Sequence, residues 1–199
     1  MQERKKNATA MEVYDILHDF LWLLCIVALV FVFFVRVVGV DGSSMFPTLN
    51  DHDFLLLQSN FTNPSYRQGD IVVLTQNSFS DSKPLVKRVI AVGGQSIDID
   101  FTSGQVFVDG VLLDEPYICE PTYLDFGGTE YPVTVPDGCV FVMGDNRNNS
   151  ADSRYQPIGM IDLRSIMGKV LFLAFPGKGT DKEGNIVGER DFKRIGVVH

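Results

Sequence analysis

One stretch constrains this chain more than any other. "FLWLLCIVALVFVFFV", Phe20 to Val35, carries no charge over 16 residues. A run so apolar all round does not suit the surface of a soluble domain, because it leaves no polar face for water. Its length is at the short end of the roughly 17–25 residues that a membrane span needs. Ile16 and Leu17 extend it on one side, Val37 and Val38 on the other. Asp19 and Arg36 then fall near the two interfaces, where an arginine stem can follow apolar surface while its head stays in water. Trp22 suits an interfacial belt. A removable signal peptide would carry small residues before its cut, but "VRVVGVDGSSM" offers arginine and valine there. The run therefore reads as a retained anchor over residues 16–38, behind a cytoplasmic segment 1–15. Arg4, Lys5 and Lys6 precede it, and after Arg36 the next basic residue is Arg67. The positive-inside bias then expects a single-pass protein of the cell membrane, with residues 39–199 outside.

The charge balance narrows the partners. Residues 1–40 are neutral in sum, Arg4, Lys5, Lys6 and Arg36 offsetting Glu3, Glu12, Asp15 and Asp19. The net charge of −8 thus lies entirely in residues 41–199. An acidic body argues against nucleic acid as a partner, since phosphate binding needs a basic face. No CxxC pair or Cys/His cluster occurs, so neither a metal nor a cofactor is expected. Cys119 and Cys139 would face an oxidising space, where pairing is permitted. The sequence leaves open whether they pair or stay free thiols.

Residues 39–199 read as mainly β. "DFLLLQ", "DIVVLTQ", "LVKRVIAV", "SIDID", "QVFVDGVLL", "YPVTV", "CVFVMGD" and "KVLFLAF" are short segments rich in β-branched or aromatic residues, bounded by Gly, Pro, Asn and Asp. Asp109-Gly110 between two apolar runs signals a two-residue hairpin. "PIGMIDLRSIMG" has room for one short helical turn, and "PGKGTDKEGN" reads as a turn-rich loop. Apolar residues make up 45% of the chain, enough for a real core. The expected fold is mainly β: one N-terminal transmembrane helix, then a compact, barrel-like all-β catalytic domain.

Three stretches bear on chemistry. In "GSSMFPTL", Gly42 to Leu49, a Ser-Ser pair sits just beyond the anchor, where serine is also an ordinary turn residue. A serine nucleophile usually takes histidine as its base. His18 precedes the anchor, His199 is terminal, and His52 in "LNDHDF" reads as an exposed turn residue. The other base able to activate a serine is a neutral lysine, whose pKa falls when it is buried among apolar groups. "LVKRVIAV" supplies one. Strand alternation sets Lys87 with Leu85 and Val89 on one face, and Arg88 with Val86 and Ile90 on the other. Which of the two points inward stays open, and both also suit an edge strand that deters aggregation. "GDNRNNSADSR", Gly144 to Arg154, follows an apolar strand and is dense in polar side chains. It suits a solvated loop or a hydrogen-bonded network built from Asn146, Arg147, Ser150, Asp152 and Arg154.

Taken together, and in this order behind one span, these stretches resemble the type I signal peptidases, membrane-anchored Ser/Lys proteases. "GSSMFPTL" resembles the nucleophile box, "RQGDIVV" the strand box after it, "VKRVIAVGG" the lysine box and "GDNRNNSADSR" the C-terminal box. The single span and compact size are similar to the branch found in Gram-positive bacteria. The resemblance covers the anchor and nearly all of residues 38–175. It implies Ser44 as nucleophile and Lys87 as general base, with Ser43 left as a turn residue. It implies that Ser150 hydrogen-bonds the lysine amine and that Asp152 and Arg154 form a supporting salt bridge. Asp145 and Arg88 are implied as scaffold. The Ser44 backbone N–H is the implied oxyanion donor; Gly42 stands where some relatives carry a second, side-chain donor. The implied substrates are secreted preproteins with small residues one and three before the cut. Val38, Val40, Met45 and Val86 are the candidates to line the shallow pockets, equally at home in an ordinary core.

Arg36 and Ser44 are eight residues apart, at most about 26–29 Å of extended chain. The expected nucleophile therefore works close to the membrane face, where an embedded signal peptide would present its cleavage site. Two other readings remain open: a Ser/Lys peptidase dedicated to a pilus or surface-assembly client, and a non-catalytic relative that binds signal peptides.

Overall fold

A computed structural model of the chain describes residues 2–33, 35–60, 65–75 and 84–198, with side chains from 11–29 and from Arg36 onward within those segments. The chain opens with a long helix, α1 (Gln2–Phe33). Every described side chain from 11 to 29 is exposed, including Phe20, Leu21, Trp22, Leu23, Leu24 and Ile26. Among the described residues no helix is long and apolar enough to cross a membrane. Glu12, Asp15 and Asp19 fall within any long window there, and the apolar run continues into residues 30–35, whose side chains lie outside the description. The helix also stops short of the expected anchor end. Val35–Gly39 is a strand, β1, paired antiparallel with β2 (Phe54–Ser59) from Val35↔Gln58 to Gly39↔Phe54. The valines around Arg36 are stiff at χ1 and fit a pleated ladder better than another helical turn.

The remaining strands are β3 (Ile71–Leu74), β4 (Leu85–Val92), β5 (Ser96–Asp100), β6 (Gln105–Val108), β7 (Val111–Leu112), β8 (Val133–Thr134), β9 (Cys139–Met143), β10 (Ile161–Asp162), β11 (Ile166–Phe175), β12 (Lys178–Thr180), β13 (Ile186–Arg190) and β14 (Gly196–Val197). The main sheet runs β1-β2-β11-β3-β4-β9-β10, with β14 paired to β11. Its path ends at β1 and β10 without closing, so the domain is mainly β but its sheet is an open, curled half-barrel rather than a barrel. A second sheet, β7-β6-β5-β8, carries the 96–134 excursion between β4 and β9. "PGKGTDKEGN" is more than a loop: it contains β12 and turns back into β13.

Three apolar clusters hold these layers. One joins Val40, Met45 and Leu49 of the β1–β2 connection to Leu55, Leu57, Ile71, Val73, Val86, Val170 and Leu173. A second gathers Val72, Leu74, Val89, Val142 and Ile166. The third seats the small sheet, through Ile97, Ile99, Val106 and Val108, on Ile90, Phe141 and Met143. β4 touches all three, so both of its faces are covered: Val86 through Ala91 are all buried. Neither Lys87 nor Arg88 is an edge residue, and both point into protein.

Asp109 (φ 52°) and Gly110 (φ 77°) form the β6–β7 turn, both in the left-handed region that a two-residue hairpin demands. A Cβ on Gly110 would meet nothing within 4 Å. Replacing Gly110 with Ala therefore tests backbone strain alone. We expect a loss of about 1 kcal/mol, read as a lower urea midpoint with an unchanged m-value.

Candidate active site

The β1–β2 connection carries Ser44 to the middle of β4. Lys87 Nζ lies 2.7 Å from Ser44 Oγ and 3.1 Å from the Val86 carbonyl. Lys87 is only 3% exposed, whereas Ser44 is half-buried. Burial pushes the Lys87 amine from 10.5 down to about 8; Asp152 and then Asp145 pull it back up, and Arg154 adds a further push down. An amine near 8, within hydrogen-bond distance of a hydroxyl, can take that hydroxyl's proton at mildly alkaline pH.

The carboxylates around the amine are already engaged. Asp145 takes Arg88 in a two-pronged pair, Nε to Oδ1 at 2.8 Å and Nη2 to Oδ2 at 2.7 Å, and Thr48 Oγ1 donates to its Oδ2. Arg88 also donates to the Gly69 carbonyl and lies over the Tyr117 ring, 3.9 Å from its centroid. Asp152 takes Arg154 the same way, with two contacts of 2.9 Å, and accepts the Gly144 N–H at 3.0 Å. Arg154 Nη2 reaches on to the Arg147 carbonyl at 2.6 Å. Arg147 donates to Glu115 and to the Gly144 carbonyl. Each of these buried guanidinium groups faces a carboxylate, the condition for a buried charge to be tolerated.

Ser150 differs from what the resemblance implies. Its Oγ is buried and has no hydrogen-bond partner among the described residues. The lysine amine spends its contacts on Ser44 and the Val86 carbonyl instead. Ser150 presses against Gly144: a Cβ there would meet Ser150 Oγ at 2.2 Å and the Ser44 carbonyl at 2.4 Å. Only a residue without a Cβ lets the end of β9 pass between them.

Val40, Met45 and Val86 are buried together in the first apolar cluster, and Val38 is partly buried against it; Met45 and Val86 are the chain neighbours of Ser44 and Lys87. A cavity of about 570 Å³ borders Arg88 and Tyr117 but neither Ser44 nor Lys87. His52 is exposed, and its Nε2 sits 3.3 Å from Asp51. The three cysteines are free thiols. Among the described residues no cluster of His, Cys, Asp and Glu is arranged to hold a metal.

Other contacts escape a reading of side-chain types. Asn146 donates its backbone N–H to the Ser44 carbonyl at 3.0 Å and its side-chain amide to the Ser43 carbonyl at 3.0 Å. Asp53, fully buried, accepts from Asn50 N, Gly177 N and Arg194, tying the β1–β2 connection to the segment after β11. Their partners are mostly backbone N–H and C=O groups brought near by folding, which leave no mark on the sequence.

The family model described as signal peptidase, peptidase S26, matches residues 13–175. The chain is 37% identical over 166 residues to a probable signal peptidase I-1 of Synechocystis sp., covering 78% of this chain and 80% of that one. It is 35% identical over 150 residues to signal peptidase I S of Bacillus subtilis, covering 69% and 75%. A crystal structure of a signal peptidase I from Enterococcus faecalis aligns with 53% of this chain and 97% of its own, at 28% identity and a TM-score of 0.45.

The depressed lysine has a cost that can be measured. Between pH 8 and 10.5 the unfolded chain holds a proton on Lys87 that the folded chain has released, so stability rises with pH through that window. Below pH 8 the penalty stands in full, about 3 kcal/mol at 1.36 kcal/mol per pKa unit. Lys87→Met should therefore melt higher than wild type at pH 7, and the gap should narrow as pH approaches 10.5. Melting curves of the two proteins at pH 7 and pH 10 check this.

Proposed function

The chain belongs to the signal peptidase family, peptidase S26, and on that premise we propose that it is a membrane-anchored serine endopeptidase that removes N-terminal signal peptides from secreted preproteins. The observation that carries the mechanism is the 2.7 Å contact between Ser44 Oγ and a buried lysine amine with its pKa near 8. Neutral Lys87 takes the Ser44 proton as Oγ bonds to the scissile carbonyl carbon, whose π electrons move onto oxygen. The Ser44 backbone N–H receives that oxyanion. The tetrahedral intermediate collapses, the C–N bond breaks, and the leaving amine takes the proton from Lys87. Lys87 then deprotonates a water that attacks the ester and returns that proton to Ser44 Oγ as the C–O bond breaks; the signal peptide leaves as a carboxylic acid, which loses its remaining proton to solvent.

Substrate choice follows from the apolar cluster. Val38, Val40, Met45 and Val86 pack in one apolar cluster in which Met45 and Val86 adjoin Ser44 and Lys87 along the chain, and such a cluster would offer only shallow apolar surface, suited to small side chains one and three residues before the cut. The substrate enters extended, because a strand can pair with exposed backbone while its alternate side chains enter pockets. The anchor reading rests on the apolar run Phe20–Val35, on the exposure of every described side chain from 11 to 29, and on Arg4, Lys5 and Lys6 ahead of them. Lipid covers the apolar helix, the N-terminus faces the cytoplasm, and the β domain works outside.

Full-length protein in detergent or lipid, given a purified preprotein, should cut after a small-x-small sequence, with product N-termini read by mass spectrometry. Ser44→Ala and Lys87→Ala should each lose cleavage; processing by a folded Ser44→Ala protein would refute the mechanism. The pH dependence has a fixed sign, since only the neutral amine accepts a proton. Activity should fall about tenfold per pH unit below about 8 and level off above it. A limb near pH 6.5 would point to a histidine instead.

A further inference from the structure

We infer that Asn146 is a positioning residue that aims the Ser44 backbone N–H at the oxyanion, and that the turn of the C-terminal hairpin fixes Asn146 for that task; the inference rests on the peptidase reading above. The Ser43 carbonyl and the Ser44 N–H belong to one planar trans peptide unit and point in opposite directions. Whatever holds that oxygen sets the axis of that N–H. Two donors hold it: Asn146 Nδ2 at 3.0 Å and the Phe46 N–H at 3.0 Å. The next peptide unit is held as well, its Ser44 carbonyl accepting the Asn146 N–H at 3.0 Å. One fully buried side chain and its own backbone thus grip both peptide units that flank the Ser44 Cα.

The second N–H of the Asn146 amide goes to the Lys182 carbonyl at 2.6 Å. Two carbonyl acceptors on one side require the NH₂ edge of the amide there, so Lys182 fixes which way Asn146 faces. Asn149 Nδ2 adds a bond to the same carbonyl at 2.8 Å and another to Ser43 Oγ at 3.3 Å. The Lys182 carbonyl is itself held in place. Asp181 Oδ1 accepts the N–H groups of Glu183 and Asn185, its Oδ2 accepts Asn185 Nδ2, and Gly184 closes the turn at φ +91°. This turn joins β12 to β13 and lies beyond residues 13–175, the span of the family match. Hydrogen bonds on a peptide carbonyl polarise the unit and strengthen its N–H as a donor. An oxyanion donor helps catalysis only if it is set before charge develops. Asn146 touches neither Ser44 Oγ nor Lys87 Nζ, so its effect should appear in the transition state alone.

The test compares wild type, Asn146→Ala, Asp181→Ala and Asp181→Asn, with Ser44→Ala as the blank. Besides kcat and KM on a preprotein, two small-x-small peptides are titrated. One ends in an aldehyde, to which Ser44 Oγ adds reversibly, its proton passing to Lys87 as the carbonyl oxygen becomes an oxyanion. The other ends in a plain amide and forms no bond. Asn146→Ala should lower kcat about 10–100-fold with KM within about twofold. Its affinity for the aldehyde should fall by the same factor, with amide binding and the pH limb near 8 unchanged. Asp181→Ala should show the same pattern at smaller size, and Asp181→Asn, which keeps an acceptor oxygen, should restore most of it. Aldehyde and amide affinities falling together, a rise in KM alone, or full activity in Asn146→Ala would each overturn the inference. If Asn146→Ala does not fold, the two Asp181 variants decide by the same ratios. A wild type that does not cleave overturns the peptidase reading and this inference with it; a cleaving wild type with an undiminished Asn146→Ala overturns this inference alone.

Discussion

The site depends on keeping one lysine buried and unpaired. A lysine amine placed beside a free carboxylate would keep its proton and be useless as a base at moderate pH. Asp145 and Asp152 both stand near enough to raise the Lys87 pKa, yet each is bound two-pronged by an arginine, Arg88 and Arg154. The arginines thus do more than brace the loop. They spend the carboxylates' charge elsewhere, and the desolvation of β4 prevails over what attraction remains. This explains why the 144–154 segment is so polar yet so deeply buried: its charges are arranged in pairs that cancel close to the amine.

Much of this was legible in the sequence. β4 and β5 match their quoted segments residue for residue, and Asp109-Gly110 marks its hairpin, because β-branched runs and left-handed turn residues act locally. What the sequence withheld is long-range. Alternation left open which of Lys87 and Arg88 faces inward; both do, because β4 is covered on two sides by clusters drawn from distant segments. Ser150 illustrates the limit of a motif. It lies at the expected place in its box, but the amine bonds Ser44 and Val86, and Ser150 packs on Gly144 instead. The extent of α1 and the openness of the sheet depend on which edges find partners, which periodicity does not encode.

The described residues from Pro176 to Val198 also escaped a composition-based reading. Pro176 to Asn185 looks like a solvent loop, rich in Gly and Lys. Folded, this segment meets the β1–β2 connection through Gly177 and Arg194 on Asp53 and Thr180 on Asn50, and the 144–154 segment through the Lys182 carbonyl on Asn146 and Asn149. A connection that presents a reactive group cannot also be loose, and here the tightening comes from the opposite end of the chain.

The junction of α1 and β1 has a mechanical consequence. The helix ends at Phe33 and the strand begins at Val35, already in register with β2. On the proposed anchoring, a single residue between helix and strand leaves the domain little tether on which to wander. Its cutting height above the bilayer is then a constant of the architecture, and its encounter with substrates becomes a search within a plane rather than a volume. Such an arrangement would measure distance as well as chemistry, favouring bonds presented near that height.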